Sequence, residues 1–426
     1  MMRGSMKPLH RRRYIVVSLL WCLAALAIKP FYPYLDFGVF YSTAIEKILA
    51  GHPLDIYSFI ARAPGDDLPL PLCHSPLYFF FLAPWYALGR LMGISDFRNT
   101  TGVSFGQAWM LLVTLPFDLL LCREALRWVE KLHGKLPEPR RWNLYVCLLA
   151  SPLLWLSSVR FGHNEALGVL LVLLALRRGE EGHPVRSGIL WGLGLSLKAT
   201  AAVPALVYLG WGVMRGGRRR GMLVTGAMAG LTFLLPLVPY LLFRREQTWY
   251  ALVGFEGLRR VGGHVLWKVA TFPDLLIRAS GALILAGSAC VGALLARRSA
   301  PRFFEAGGAH ALVLGQVLLL LLGKALFVWY GLALSVFVYL AFAEGNEGRG
   351  SLPIRAFLTS ILLWLLQAGP WIGEDVNPWI RLRSTLWVLL LLTIGLAAVI
   401  GLRAMKVPGH GPGATLAQRE ADGGSP

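Results

Sequence analysis

The chain has 426 residues, 56% of them hydrophobic and 15% charged, and 42 Lys and Arg against 23 Asp and Glu give a net charge of +19. A soluble protein of this length has no interior large enough to hide that much apolar side chain, so lipid must be the solvent for much of the surface, and a mean hydropathy of +0.57 agrees. A soluble enzyme is therefore a poor reading. So is a nucleic-acid-binding protein, because the basic residues form short clusters between apolar runs instead of one basic face.

From the N-terminus, "MMRGSMKPLHRRR" precedes an apolar run and looks like a signal peptide, but "AIKPFYPYLDF" follows where small residues would mark a cleavage site. The expectation is an uncleaved first transmembrane helix behind a cytoplasmic segment 1–13. Further apolar runs of helix length fall at about 75–93, 105–121, 142–159, 163–176, 187–197, 199–214, 222–243, 280–296, 309–323, 325–343, 354–371 and 384–402. If all of these spanned, with the N-terminal arginines inside, the basic loop 122–141 would lie outside, against the positive-inside rule. The run 75–93 carries Pro76, Pro84 and four aromatics and reads as an interfacial element.

With 75–93 removed, the loops after 121, 176, 214, 296, 343 and 402, which hold nearly all the basic clusters, become cytoplasmic. The expected fold is an all-α polytopic membrane protein of about twelve transmembrane helices, a multi-span region 14–403 with a helical first outer loop over 30–104. Both termini lie in the cytoplasm of a plasma-membrane protein, and 404–426, rich in Gly, Pro and Ala, is expected to be a disordered tail. The runs 187–197 and 199–214 are short and meet at Lys198, the pattern of broken helices, which membranes tolerate only around an enclosed cavity. Five cysteines (Cys22, Cys73, Cys122, Cys147, Cys290) have no metal spacing and suggest no disulfide framework.

This topology brings polar residues from distant stretches to one face. The first outer loop carries Asp36, Glu46, Asp55 and His74, the stretch "SVRFGHNEALG" delivers Arg160, His163, Asn164 and Glu165, and later spans deliver Lys198, Lys324, Trp329 and Tyr330. Each also has a plainer explanation. Asp36 could cap a helix, His74 could be an interfacial side chain, Asn164 and Glu165 could cap the following helix, and the lysines could snorkel to head groups. A charge at the bilayer centre costs about 2.5–3.5 kcal/mol even on insertion scales, so their shared sidedness points to a water-accessible site.

The order of "YLDFGVFYSTAIEKILAGHPLDIY", "CHSPLYFFFLAPWYALG", "SSVRFGHNEALGVLLVLLAL" and "SGILWGLGLSLKATAAVPALVYL" resembles the GT-C integral-membrane glycosyltransferases that use polyprenyl-phosphate sugars. It is most similar to the catalytic subunit of the first GPI-anchor mannosyltransferase and to bacterial glycosyltransferase family 87. The likeness covers roughly 30–340, with "GKALFVWY" as a late Lys–Tyr element; a single acid stands where some relatives carry two, and Ala199 follows Lys198 where relatives often have a proline or aromatic nearby.

The resemblance implies transfer of a hexose, mannose foremost, from a polyprenyl-phosphate sugar to a lipid-linked or glycan acceptor at the outer face, with inversion and without a nucleotide. Transfer needs a base for the acceptor hydroxyl and cations for the departing phosphate. Asp36 is the expected catalytic base. Lys198, Lys324 and Arg160 are expected at the donor phosphate, and His74, His163, Asn164, Glu165 and Tyr330 at sugar or acceptor. No cofactor or metal-ligand set is called for, and the participation of a divalent metal stays open. The competing class is a polytopic transporter or lipid flippase, for which inverted repeats are common and none is visible.

In a background with the native cysteines replaced, a cysteine introduced at Ser95 or Asn99 is expected to react with an impermeant reagent added outside intact cells. Labelling only from the cytoplasmic side would divide the expected site between two faces.

Overall fold

The computed structural model describes residues 8–34, 36–58, 60–61, 70–71, 75–160, 164–254, 266–269, 272–298, 300–323, 330–344, 358–363, 365 and 378–405. Helix α1 (Pro8–Ile28) leads through a tight Lys29–Phe31 turn into the first loop. That loop holds a π-helical turn (Asp36–Tyr41), α2 (Ser42–Leu49), a 3-10 turn (Pro53–Ser58), a two-residue antiparallel pairing of Ile60–Ala61 with Leu70–Pro71, and α3 (Pro76–Leu91). Then come α4 (Phe105–His133), α5 (Glu138–Leu149), the short α6 (Pro152–Leu154), α7 (Glu165–Glu180), α8 (Pro184–Leu197), α9 (Ala202–Val213) and α10 (Arg219–Leu234). The rest comprises the short α11 (Val238–Phe243), α12 (Arg245–Trp249) and α13 (Asp274–Arg278), then α14 (Ser280–Leu295), α15 (Gly308–Leu322), α16 (Gly331–Glu344) and α17 (Pro378–Ala404).

Five described stretches are long and apolar enough to cross a bilayer: Arg12–Phe31, Phe105–Leu132, Glu138–Val159, Gly216–Phe243 and Ser384–Ala404. Four other expected spans fall on the shorter apolar helices α9, α14, α15 and α16, and most of the expected span 354–371 lies outside the described residues. Two runs expected to be continuous are interrupted at prolines, which lack the N–H a helix needs and clash with the preceding turn. The 142–159 run stops as α5 at Leu149 and restarts at Pro152, and the 222–243 run tightens to a 3-10 turn over Leu235–Leu237 at Pro236. The 75–93 run forms one 16-residue helix, α3, about 24 Å long and so shorter than a hydrocarbon core of about 30 Å. Its Tyr78, Phe79, Leu82 and Tyr86 are buried while Phe80, Phe81, Trp85 and Leu88 are exposed.

The elements close on each other through small residues, as expected where lipid supplies no hydrophobic drive between helices. On α8, a Cβ at Gly188 or Gly192 would strike Thr225, Ala229 or Thr232 of α10. On α14, one at Gly292 would run into the Val207 carbonyl of α9, and on α9 one at Gly210 would lie 2.6 Å from the Ala289 carbonyl of α14. One core runs through the helix bundle; a second joins Phe37, Tyr41, Tyr57, Tyr78, Phe79 and Tyr86 of the first loop to Leu197, Leu237 and Tyr240. The entry to α4 is tied down by Asp96, which accepts from the Phe105 and Gly106 amides at 2.6 and 2.7 Å, and by Ser104, which accepts from Gln107 N at 3.2 Å.

Polar pairs pin the loop. Arg244 Nη2 lies 2.6 Å from Asp55 Oδ1, and Glu46 joins Arg98 (2.6 Å) to the Tyr86 hydroxyl, which donates to it. Burial and that hydrogen bond raise the Tyr86 phenol above its ordinary pKa. Lys47 donates to the Asp55 carbonyl at 2.7 Å; burial lowers its pKa and Asp55 counters the shift. On the far side of the bundle, Arg177 donates to both carboxylate oxygens of the buried Glu124 at 2.9 and 2.8 Å, fastening α7 to α4.

Gly292→Ala is expected to cost about 1–3 kcal/mol by overpacking the α9–α14 contact, read as a lower unfolding midpoint in detergent. Gly281, on the same helix with nothing within 4 Å of a Cβ, provides the control, and Gly281→Ala should leave the midpoint level or raise it. Equal losses from both would refute the close-packing account.

Candidate active site

Helices α7 and α8 form a hairpin. The chain reverses at Glu181–His183, where Gly182 takes a left-handed φ of 79° and His183 N donates to the Arg178 carbonyl at 2.9 Å. With 16 and 14 residues the two helices are about 24 and 21 Å long, so the start of α7 and the end of α8 return to one level. That puts Glu165 beside Lys198 although a whole hairpin separates them, with the ammonium 3.0 Å from Glu165 Oε1 and both side chains nearly buried (10% and 5% exposed).

The helix break at Lys198 makes the pair possible. Lys198 is extended (φ −151°, ψ 125°), its amide still bonds the Gly194 carbonyl at 2.9 Å, and a 3-10 turn over Ala199–Ala201 leads into α9. The broken helices expected from the sequence are present. The ammonium also lies 5.9 Å from the centre of the Tyr330 ring, at the start of α16.

Asn164 stands at the N-cap of α7 but makes no capping hydrogen bond, against the plainer reading of this residue. It is 1% exposed, and neither its Oδ1 nor its Nδ2 has a partner among the described residues. Buried polar groups are nearly always satisfied, so an unmet donor and acceptor beside an ion pair mark a place for a hydrogen-bonding ligand or water. Ser75, at the start of α3, likewise has a buried hydroxyl without a partner among the described residues.

The first loop reaches this place through aromatic side chains. Phe37 meets Tyr41 at 5.8 Å between ring centres and Tyr41 meets Tyr78 at 5.6 Å, while Tyr78 feels the charge of Glu165. Leu197, next to Lys198, belongs to the same core.

Of the expected site residues, Asn164, Glu165, Lys198 and Tyr330 come together. Asp36 opens the π-helical turn that carries Phe37, and Arg160 closes another π-helical turn, Trp155–Arg160; their side chains lie outside the described residues. His74, His163 and Lys324 also lie outside them. Among the described residues no group of three or more His, Cys, Asp or Glu gathers as a metal site.

Sequence reasoning passed over Lys29. It is buried after α1 in "AIKPF", donates to the Tyr32 carbonyl at 3.3 Å, and faces a cleft shared with Phe37, Tyr78 and Gln107. A lysine at the C-terminal end of the first apolar run was the available signal. It also passed over Asp118, buried midway along α4 and bonded by Ser158 Oγ at 2.7 Å, which sits inside an apolar run with nothing nearby in sequence to betray its partner.

Residues 75–322 match the profile of Glycosyltransferase family 87, a GT-C-type family of membrane glycosyltransferases. No curated protein matches the chain. The family match separates the two classes left by the sequence, transferase and transporter, in favour of the transferase.

Glu165→Ala or Lys198→Ala alone strands a buried charge and should destabilise by about 3–5 kcal/mol. The double variant should recover part of that loss, with a coupling on the order of 1–3 kcal/mol in a double-mutant cycle of unfolding free energies. Strict additivity would mean that the two side chains do not support each other.

Proposed function

The chain belongs to glycosyltransferase family 87, and from that premise we propose that it moves a hexose, mannose foremost, from a polyprenyl-phosphate sugar to a lipid-linked or glycan acceptor. The reaction runs with inversion at the non-cytoplasmic face of the plasma membrane, in a chain of about twelve spans with both termini inside. The observation that carries the reading is the buried Lys198–Glu165 pair next to Asn164, whose amide has no partner among the described residues, at a helix break facing the first loop. A sugar hydroxyl both donates and accepts, which is what the Asn164 amide lacks.

In this reading Asp36 takes the proton of the acceptor hydroxyl as the oxygen attacks the anomeric carbon from the side opposite the phosphate. The bond from that carbon to the phosphate oxygen breaks, and the lipid phosphate leaves with one more negative charge than it had as a diester. Lys198, with Lys324 and Arg160, meets that charge. Asn164, Glu165, His163, His74 and Tyr330 hold sugar and acceptor. The support for a cation at this place is the burial of Lys198, because a charge in a low-dielectric setting acts more strongly on a developing anion than one in water.

Asp36→Asn preserves size and most hydrogen bonding but removes the base, so transfer of labelled sugar from polyprenyl-phosphate mannose in membranes should fall about 10²–10⁴-fold while donor binding persists. Lys198→Ala should weaken donor binding modestly and turnover further, because the pull of the lysine grows as the leaving phosphate gains charge. Wild-type rates from the Asp36→Asn protein would remove Asp36 as the base. Transfer from a nucleotide sugar but from no lipid-phosphate sugar would overturn the donor assignment.

A further inference from the structure

The opposite end of the bundle carries a second polar construction that the transfer reaction does not use. Trp211, fully buried in the last turn of α9, lies under two guanidinium groups, Arg215 at 5.5 Å and Arg218 at 5.1 Å from its ring centre. Its neighbours extend an aromatic floor: Trp211 to Phe303 (5.4 Å), Phe303 to Phe304 (5.2 Å) and Phe304 to Trp128 (4.4 Å), with Lys131 standing 4.5 Å over Trp128.

The charges on this floor do not balance. Glu180 is paired with Arg218 at 3.3 Å and accepts from Phe303 N at 3.2 Å, and Lys131 and Arg302 act on the same carboxylate through space. Glu305 lies 3.6 Å from Arg302. Arg215 has no carboxylate among the described residues, and its Nη1 is buried without a hydrogen-bond partner. A basic loop that merely obeys the positive-inside rule keeps its guanidinium groups solvated; here one is laid on an indole with a donor unmet. Beside it Met214 is two-thirds exposed, and Leu223, in the first turns of α10, is more than half exposed.

We propose that this cluster is a binding site for an anionic phospholipid of the leaflet on the basic-loop side. The headgroup phosphate sits against Arg215 and its acyl chains lie along Met214 and Leu223. The chemistry fits on three counts. A phosphodiester supplies the acceptor oxygens that a guanidinium fork matches; the net positive charge on the floor favours an anion; and the apolar flank suits a lipid over a free ion. The site stands apart from Lys198 and Glu165, so it neither rests on the proposed reaction nor supports it.

The test is the unfolding midpoint of the full-length protein in detergent, titrated with phosphatidylglycerol, with phosphatidylcholine of the same chains, or with sodium phosphate. Phosphatidylglycerol should raise the midpoint saturably and more than the other two. Arg215→Gln should start from the wild-type midpoint, require about fivefold more phosphatidylglycerol for the same rise, and keep sugar transfer. Arg186→Gln, an exposed basic residue on α8 outside the cluster, should behave as wild type. If Arg215→Gln lowers the starting midpoint, Arg215→Lys, which keeps the charge and removes the fork, should show an intermediate requirement. Equal effects of the two lipids, an unchanged requirement in the Arg215 variants, or the same loss in Arg186→Gln would overturn the site. An equal rise with sodium phosphate would overturn the lipid as its occupant.

Discussion

A buried ammonium in a membrane protein is tenable only where a carboxylate, a dipole or a ligand answers it, and at Lys198 the answer is Glu165, 3.0 Å away. Much of the local architecture follows from that requirement. The α7–α8 hairpin must be tight enough to return Lys198 to the level of Glu165, which its left-handed glycine and short reversal accomplish. Helix α8 must stop at Leu197, because a lysine continuing the helix would present a different side of it. The backbone groups released by the stop must be reclaimed, which the Lys198 amide and carbonyl do within their own turn.

Irregular backbone gathers around the same end of the bundle. The π-helical turns Asp36–Tyr41 and Trp155–Arg160 and the 3-10 turn Ala199–Ala201 all adjoin residues expected in the site. Such turns are poor in stability and useful for aiming side chains, and function is where they are tolerated. The stabilising parts lie elsewhere: the two-pronged Glu124–Arg177 contact, the glycine-lined α8–α10 and α9–α14 interfaces, and the aromatic packing of the first loop. The chain divides its elements between a close-packed bundle and a polar end built on irregular turns.

Much of this was legible in the sequence, and what was not has a physical reason. Hydropathy marked α3 as a separate helical run, and Glu165 and Lys198, expected together from the sequence, lie 3.0 Å apart. The break at Lys198 showed as two short runs that meet at that residue. Periodicity did not reveal the π-helical turns, since one extra residue in a turn leaves no mark in an apolar run. Nor did it reveal that Glu124 answers Arg177 or that Ser158 answers Asp118, because pairing across helices depends on rotation about their axes, which apolar content does not encode. Asn164 is the instructive case. A helix start is the ordinary place for asparagine, yet its side chain leaves the cap unmade and stays buried with neither polar atom partnered among the described residues.

The Lys198–Glu165 pair also bears on how the proposed transfer would gain rate. A lone buried lysine would attract the donor phosphate in the ground state almost as strongly as the departing phosphate, and uniform binding of that kind lowers KM without raising kcat. With Glu165 alongside, the pair is close to neutral, so its pull on a singly charged diester is modest. As the bond to the sugar breaks, the leaving phosphate gains charge, and the lysine can turn from the carboxylate toward it. The attraction then grows along the reaction coordinate instead of being spent at the start. Glu165, released from the ammonium, lies next to the Asn164 amide, where a sugar hydroxyl would bond to both. On this reasoning the carboxylate that holds Lys198 in place also makes its charge count most in the transition state.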